Sequence, residues 1–214
     1  MGLFDRLKRS LRKRYYYSER DQALYEDMLR EHFGDYDAVF HELVSPDLHI
    51  DVIPVKPATE DGALTLFTMG MGAYPMAVPP GYGRNNRAEM AIRLPTDWDI
   101  RSNDERCYWP IRLIKSLARL PIREKSWLGV YHDVDFGASF SPETELCAVL
   151  LDFFDETVES LTLTGGDRLL LYNVIPLYRS EMEFKTAHGA AALLEKLPER
   201  VRRGPLDPRR PPVL

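Results

Sequence analysis

Residues 64–95 read LTLFTMGMGAYPMAVPPGYGRNNRAEMAIRLP, and this stretch decides the fold. Its first part, residues 64–71, is apolar, uncharged and rich in β-forming residues, which predicts a central strand. Its last part, residues 87–94, alternates apolar with charged residues, which predicts a half-buried strand. The loop between them, about fifteen residues long, is of a length that is usually functional or disordered. Because it contains Tyr74, Met76 and Tyr82, we expect residues 72–86 to be ordered over the sheet and to border a binding surface.

The rest of the chain supplies further strands and the helices that would cover them. Strands are predicted at 48–55, 146–154 and 168–177, and a strand or extended loop at 126–134. Helices are predicted from a Ser18 cap to Gly34, over 36–43, over 109–120 with Pro121 as its end, and over 180–197. Ser180 and Glu183 match a capping box, and Gly189 is a predicted break.

Length and composition predict one α/β (mixed α+β) domain. A chain of 214 residues with 44% apolar residues can bury a single core. The sequence contains no apolar run long enough to cross a membrane and no signal peptide pattern. Its two cysteines lack CxxC spacing, which predicts neither a zinc site nor a disulfide and favours a cytoplasmic location. We divide the chain into a basic N-terminal segment (1–17), the domain (18–198) and a flexible Pro/Arg-rich tail (199–214).

The charge is unevenly distributed along the chain. The net charge of −5 combines basic ends with an acidic body, because residues 15–198 contain 17 basic and 30 acidic residues. Such a body disfavours direct binding of nucleic acid and attracts basic partners, although acidic surfaces also simply keep proteins soluble.

Residues 3–14 place Leu3, Leu7 and Leu11 on one side of a helix among basic residues. This segment either makes weak contact with an anionic membrane surface or packs on its own domain.

Two groups of polar residues are candidates for chemistry. His49 and Asp51 lie on one face of a strand, as two metal ligands would, but without a third ligand in sequence a hydrogen-bonded pair is favoured. His132, Asp133 and Asp135 follow a strand, where they could act as acid and base, as part of a binding rim, or as solvated loop residues. We expect no catalytic residue, no bound metal and no cofactor.

Five short blocks, LTLFTMGM, AEMAIRLP, WPIRLIKSLAR, SWLGVYHDV and IPLYRSEMEFK, occur in an order that resembles the suppressor of fused domain family in its compact bacterial form. The resemblance covers Tyr36 to Leu197. It implies a central mixed β-sheet flanked by helices and a non-enzymatic binding role. Animal members bind a peptide of a zinc-finger transcription factor by strand addition, and bacterial members are regarded as immunity proteins that neutralise toxins.

At two peptide-contacting positions the chain departs from the animal pattern. Leu120 replaces a Tyr, and Tyr131 replaces an Asp before the His that matches His132. We therefore expect an immunity-type or regulatory protein that sequesters a protein partner, such as a basic toxin. The alternative is a hydrolase-like enzyme that uses the His132 cluster. The expected partner-binding residues are Tyr74, Met76, Tyr82, Leu120, Tyr131, His132, Asp133 and Asp135.

Overall fold

The computed structural model describes residues 14–45, 47–59, 62–154, 158 and 160–214. The α-helices are α1 (Glu19–Phe33), α2 (Glu105–Glu124), α3 (Arg179–His188), α4 (Ala190–Lys196) and α5 (Glu199–Arg202). The strands are β1 (Asp51–Val55), β2 (Leu64–Met69), β3 (Arg87–Leu94), β4 (Asp133–Asp135), β5 (Ala148–Phe153), β6 (Ser160–Thr162) and β7 (Arg168–Leu177). Two short 3-10 helices, Met71–Ala73 and Pro80–Tyr82, lie in the loop between β2 and β3.

The described strands form one mixed seven-stranded sheet in the order β1-β2-β3-β7-β5-β4, with β6 also paired to β7. Only the β3–β7 pairing is parallel among these, and the others are antiparallel. The prediction that the five main strands share one sheet is confirmed, and so is the mixed α+β class.

Both faces of the sheet are covered, which explains why its strands are apolar on both sides. Neighbouring residues of β2 point to opposite faces, so Leu66 packs in the cluster that contains Trp109 and Leu117 of α2, whereas Phe67 packs against Leu29 of α1. Helix α4 covers β5 and the end of β7. The Ser18 cap and the stop at Gly34 on α1 are as predicted.

Several local predictions are wrong. Residues 36–43 form no helix; Phe40 instead exchanges backbone hydrogen bonds with Val52 of β1. Helix α2 continues past Pro121 to Glu124, because proline in the last turn sacrifices one backbone N–H without removing the packing of the helix. The segment 126–134, predicted as a strand or an extended loop, is loop up to His132 and strand from Asp133, which agrees with that prediction.

The start of α3 also differs from the predicted capping box. The helix begins at Arg179, and the carboxylate of Glu181 accepts a hydrogen bond from the backbone N–H of Tyr178 at 3.0 Å. The predicted break at Gly189 is present, since it separates α3 from α4.

The tail, residues 199–214, differs from the expectation of a flexible segment. It begins as helix α5, and Leu206 is buried with its backbone N–H 2.9 Å from the Arg93 carbonyl oxygen. Arg210 is buried and hydrogen-bonds to both carboxylate oxygens of Glu181. Prolines restrict the backbone but do not prevent burial, so residues 199–214 belong to the domain.

Glu89 on β3 was expected on the polar face of a half-buried strand, but it is completely buried. Its carboxylate accepts hydrogen bonds from the hydroxyls of Tyr17 and Thr68, each at 2.6 Å, and from the backbone N–H groups of Gly70 and Gly72. The carboxylate therefore joins the chain before α1 to the loop that follows β2.

Candidate partner-binding surface

Three aromatic side chains from two distant parts of the sequence form a continuous row on the surface. The ring centroid of Trp127 lies 4.4 Å from that of Tyr82 and 4.3 Å from that of His132. Tyr82 and the adjacent Tyr131 are 45% and 47% exposed. We call Tyr82, Trp127, Tyr131 and His132 the aromatic face.

Backbone contacts join the two segments that supply this face. The backbone N–H of Ala77 donates to the Ser126 carbonyl oxygen at 3.2 Å, and that of Leu128 donates to the Met76 sulfur at 3.4 Å. Met76 is buried, so it supports residues 126–128 from below and does not present its side chain to a partner. The loop is thus ordered beside the 126–132 segment, as the sequence predicts.

Gly129 is required for the position of the Trp127 indole. A Cβ atom at residue 129 would lie 2.4 Å from Cζ3 of Trp127, closer than carbon atoms approach. Any larger residue would displace the indole from between Tyr82 and His132.

Tyr131 holds an unfavourable backbone conformation, with φ of 67°, where residues other than glycine are uncommon. Its backbone N–H donates to the Leu151 carbonyl oxygen at 2.7 Å, and the Leu151 N–H donates to the His132 carbonyl oxygen at 2.9 Å. The turn is therefore fixed on β5 and directs the Tyr131 ring outward. Strain of this kind concentrates at functional sites, and it supports a role for Tyr131 in binding.

A groove of about 280 Å³ begins at Tyr82 and runs over the sheet. Its lining residues are Tyr82, Asn85, Gly129, Val130, Phe153, Arg168, Leu170 and Tyr172. The side-chain oxygen of Asn85 is buried and has no hydrogen-bond partner among the described residues. The groove thus offers mainly apolar walls beside the aromatic face, with Asn85 and Arg168 as its polar residues.

A second groove, of about 710 Å³, lies at the edge strand β1, between Pro54 and Trp98. It is larger, but its aromatic side chains, Phe40 and Trp98, are less exposed than Tyr82 and Tyr131. In addition, Val52 on the edge of β1 is already paired with Phe40. The aromatic face combines exposure with backbone strain, and for that reason we regard it as the better candidate.

Asp133 and Asp135 were expected to form an acidic rim. In the structure both are in ion pairs with α3, Asp133 with Lys185 and Asp135 with Arg179. The hydrogen bond from Arg179 lowers the pKa of Asp135 below its ordinary value. The two acids are therefore neutralised locally, and the prediction that they attract a basic ligand loses its physical basis.

His132 does not form an acid–base pair with these aspartates. In the part of the chain that the structure describes, no hydrogen bond links its ring to Asp133 or Asp135; the ring packs against Trp127 instead. Burial lowers the pKa of His132, and the Lys185 ammonium lowers it further. Among the described residues, no carboxylate is therefore hydrogen-bonded to His132 to orient it as a general base.

Two other predicted residues, Tyr74 and Leu120, are not part of the row of rings. Tyr74 is half-buried and packs edge-to-face on Tyr15, with centroids 5.0 Å apart. Leu120, at the end of α2, is half-buried against the main core. Of the eight predicted partner-binding residues, Tyr82 and His132 are brought together, with Tyr131 adjacent. Sequence reasoning did not single out Trp127 as a binding residue; its position two residues before Gly129 was the available signal.

One group of possible metal ligands is also present. His49 Nε2 lies 3.0 Å from Asp51 Oδ1, as the sequence predicts for a hydrogen-bonded pair, and His41 Nδ1 lies 3.0 Å from Asp51 Oδ2. His41 supplies a possible third ligand atom, which the sequence spacing did not reveal.

The described residues contain no helix that is long and apolar enough to span a membrane. The segment 3–14, for which membrane contact was considered, lies outside the described residues except for Arg14.

The fold and the site define an α+β domain with a candidate binding surface. Comparison with known proteins then gives the family. The suppressor of fused protein (SUFU) family model matches residues 46–211, most of the chain. The chain therefore belongs to the suppressor of fused family, as the resemblance in sequence indicated. The match extends through residue 211, in agreement with the packing of the tail.

Solved structures show the same fold at low identity. A suppressor of fused homolog from Neisseria gonorrhoeae is 17% identical with a TM-score of 0.65, covering 92% of this chain and 97% of that chain. The Sufu chain of a Sufu–Fu complex is 13% identical with a TM-score of 0.65, covering 91% and 92%. Drosophila Suppressor of Fused is 11% identical with a TM-score of 0.54, covering 85% of this chain and 48% of that chain. No curated protein sequence matches this chain.

Proposed function

We propose that this protein is a non-enzymatic binding module that sequesters a protein partner through the aromatic face. The observation that carries the proposal is the row of Tyr82, Trp127 and His132 with Tyr131 exposed beside it. One similar structure is a complex of Sufu with Fu, which is an example of partner binding on this fold.

The physical properties of the aromatic face suit protein recognition. Trp and Tyr dominate the residues whose truncation costs most at protein interfaces. Their rings cover a large area and lose little conformational entropy, since each has only two side-chain torsions. Here the rings are also held in advance by the Tyr131 turn and by contact with Gly129, so binding does not have to order them.

The partner that we propose is basic, for example a toxin, and the protein then acts as an immunity-type or regulatory protein in the cytoplasm. The support is the overall charge, because residues 15–198 contain 17 basic and 30 acidic residues. Since Asp133 and Asp135 are paired, the attraction arises from the field of the whole body and not from these two residues.

Site-specific photo-crosslinking tests the binding surface. A photoreactive phenylalanine analogue at position 131 or 82 should crosslink a defined protein in cells, whereas the same analogue at the exposed Tyr16 should not. Trp127→Ser and Tyr131→Ser should each weaken the purified complex by about tenfold or more. A partner that crosslinks equally at all three positions, or that binds these variants as tightly as the parent, would contradict the proposal.

The charge of the partner is tested separately. The association rate with the crosslinked partner should fall steeply between low and physiological salt if the partner is basic. A rate independent of salt would remove the basic toxin from the proposal but leave the aromatic face as the binding surface.

A further inference from the structure

We infer that His41, His49 and Asp51 form a binding site for a divalent transition metal, with zinc as the best match. The three residues each offer one ligand atom, and these atoms all lie within 4.8 Å of one another. His41 comes from the segment before β1, which the Phe40–Val52 pairing holds beside the strand. This inference is independent of the aromatic face.

The histidine-to-aspartate spacings are close to those of tetrahedral zinc. Zinc binds imidazole nitrogen and carboxylate oxygen at about 2.0–2.2 Å, so neighbouring ligand atoms of a tetrahedron are about 3.3 Å apart. In the structure each histidine nitrogen is 3.0 Å from a different oxygen of Asp51. Two imidazoles and one carboxylate are a common ligand set for zinc sites with one open position. The fourth position would face solvent, because the His41 side chain is 68% exposed.

A second set of contacts favours the His49 tautomer that metal binding requires. For His49 Nε2 to bind a metal, its neutral ring must carry the proton on Nδ1. That atom lies 2.8 Å from the Ser45 hydroxyl oxygen, and the Ser45 hydroxyl in turn donates to Glu42 Oε2 at 2.8 Å. Metal-bound histidines characteristically donate their second ring N–H in this way, which fixes both tautomer and orientation.

The carboxylates around the site are held in place by the rest of the fold. Asp51 is 5% exposed and accepts a hydrogen bond from the Glu42 backbone N–H at 2.9 Å. The carboxylate of Glu42 forms an ion pair with Arg119 of α2, which also donates to the Leu48 carbonyl oxygen. The ligands are therefore positioned before a metal binds.

A bound metal would clamp the segment from His41 to His49 against β1. Two large apolar side chains in this segment, Leu43 and Val44, are exposed, at 96% and 81%. Removal of the metal should therefore loosen that segment.

Titration of tag-free protein with zinc chloride in a calorimeter tests the inference. The parent should bind one zinc ion per chain, and His41→Ala and His49→Ala should each weaken that binding by about tenfold or more. Ser45→Ala should weaken it less than loss of a ligand does. His188→Ala is the matched control, because this exposed histidine lies on α3, and it should bind zinc like the parent.

His41→Ala decides the result if other variants fail to fold, since its exposed side chain contributes little to the core. Zinc should also raise the melting temperature of the parent but not that of His41→Ala. The inference is overturned if the parent does not bind zinc, or if His41→Ala binds it with parental affinity and stoichiometry.

Discussion

Arg210 and Glu181 form a buried ion pair in which two guanidinium nitrogens each lie 2.6 Å from a different carboxylate oxygen. Glu181 lies in the first turn of helix α3 and is completely buried, whereas Arg210 comes from the proline-rich tail. Arg210 also donates to the Pro176 carbonyl oxygen at the end of β7. One side chain therefore joins the tail, a helix and the central sheet.

Replacement of Arg210 should be strongly destabilising. Arg210→Met leaves the Glu181 carboxylate buried without its counter-ion, and we expect a loss of about 3–5 kcal/mol in the free energy of unfolding, measured with urea. The double variant Arg210→Met/Glu181→Gln should recover part of this loss. Arg209→Met, on the exposed neighbour, should change stability little. Equal effects of the two single variants would show that the tail does not depend on this ion pair.

The stability of the protein should fall as the pH rises through about 7. Burial raises the pKa of Glu89 to about 7 from an ordinary value of 4.5, although its hydrogen bonds oppose the shift. The folded state therefore holds this proton more tightly than the unfolded state. The proton on Glu89 stabilises the folded state in full below pH 4.5. This stabilisation, about 2–4 kcal/mol in all, is lost as the pH rises through the folded-state pKa.

Urea unfolding between pH 5 and pH 8 measures this dependence. Glu89→Gln should remove most of the decrease, and Glu195→Gln, at an exposed position, should retain it. The low pKa of Asp104, about 2 because of its hydrogen bond with Arg106, affects stability only at more acidic pH. Identical pH profiles for the parent and Glu89→Gln would contradict the prediction.

The Tyr131 backbone should make glycine the more stable replacement. Tyr131→Gly and Tyr131→Ser both remove the ring, but only serine keeps a Cβ at φ of 67°. We expect the glycine variant to be about 1–2 kcal/mol more stable than the serine variant by urea unfolding. A serine variant of equal or greater stability would mean that this turn is not strained.

Protonation of His132 should be visible in tryptophan fluorescence. Its ring lies 4.3 Å from that of Trp127, and a protonated imidazole quenches indole emission on contact. Because burial and Lys185 lower the His132 pKa, the midpoint should lie below the ordinary histidine value of 6.5. Lys185→Met should shift the midpoint upward. His132→Gln supplies the baseline for the other tryptophans, and a transition that persists in it would exclude this assignment.

Much of the fold could be predicted because its signals are local. The strands at 64–71 and 87–94 are predicted from the pattern of their own residues, and they pair with each other in the sheet. The caps of α1 are formed by hydrogen bonds between residues close in the chain. The candidate binding surface could be predicted less completely. Tyr82 and His132 were both expected in the binding surface, but Trp127 between them was not, since the sequence does not show which face of a turn a tryptophan occupies.

Charge in sequence was the least reliable guide. Asp133 and Asp135 were predicted to form an acidic rim, but helix α3 places Lys185 and Arg179 beside them. Similarly, Glu89 alternates with apolar residues like any exposed acid, yet four donors from distant residues surround it.

The amino-acid sequence by itself determined the strands, the main helices, the mixed α+β class and the family, because periodicity, capping and short motifs act between residues close in the chain. Only the tertiary structure decided which charges are neutralised, which aromatic rings are exposed, and that His41 meets His49 and Asp51. It also decided that the tail is part of the domain, through Arg210 and Glu181. Pairing and burial depend on contacts between residues far apart in sequence, and no local pattern encodes those contacts.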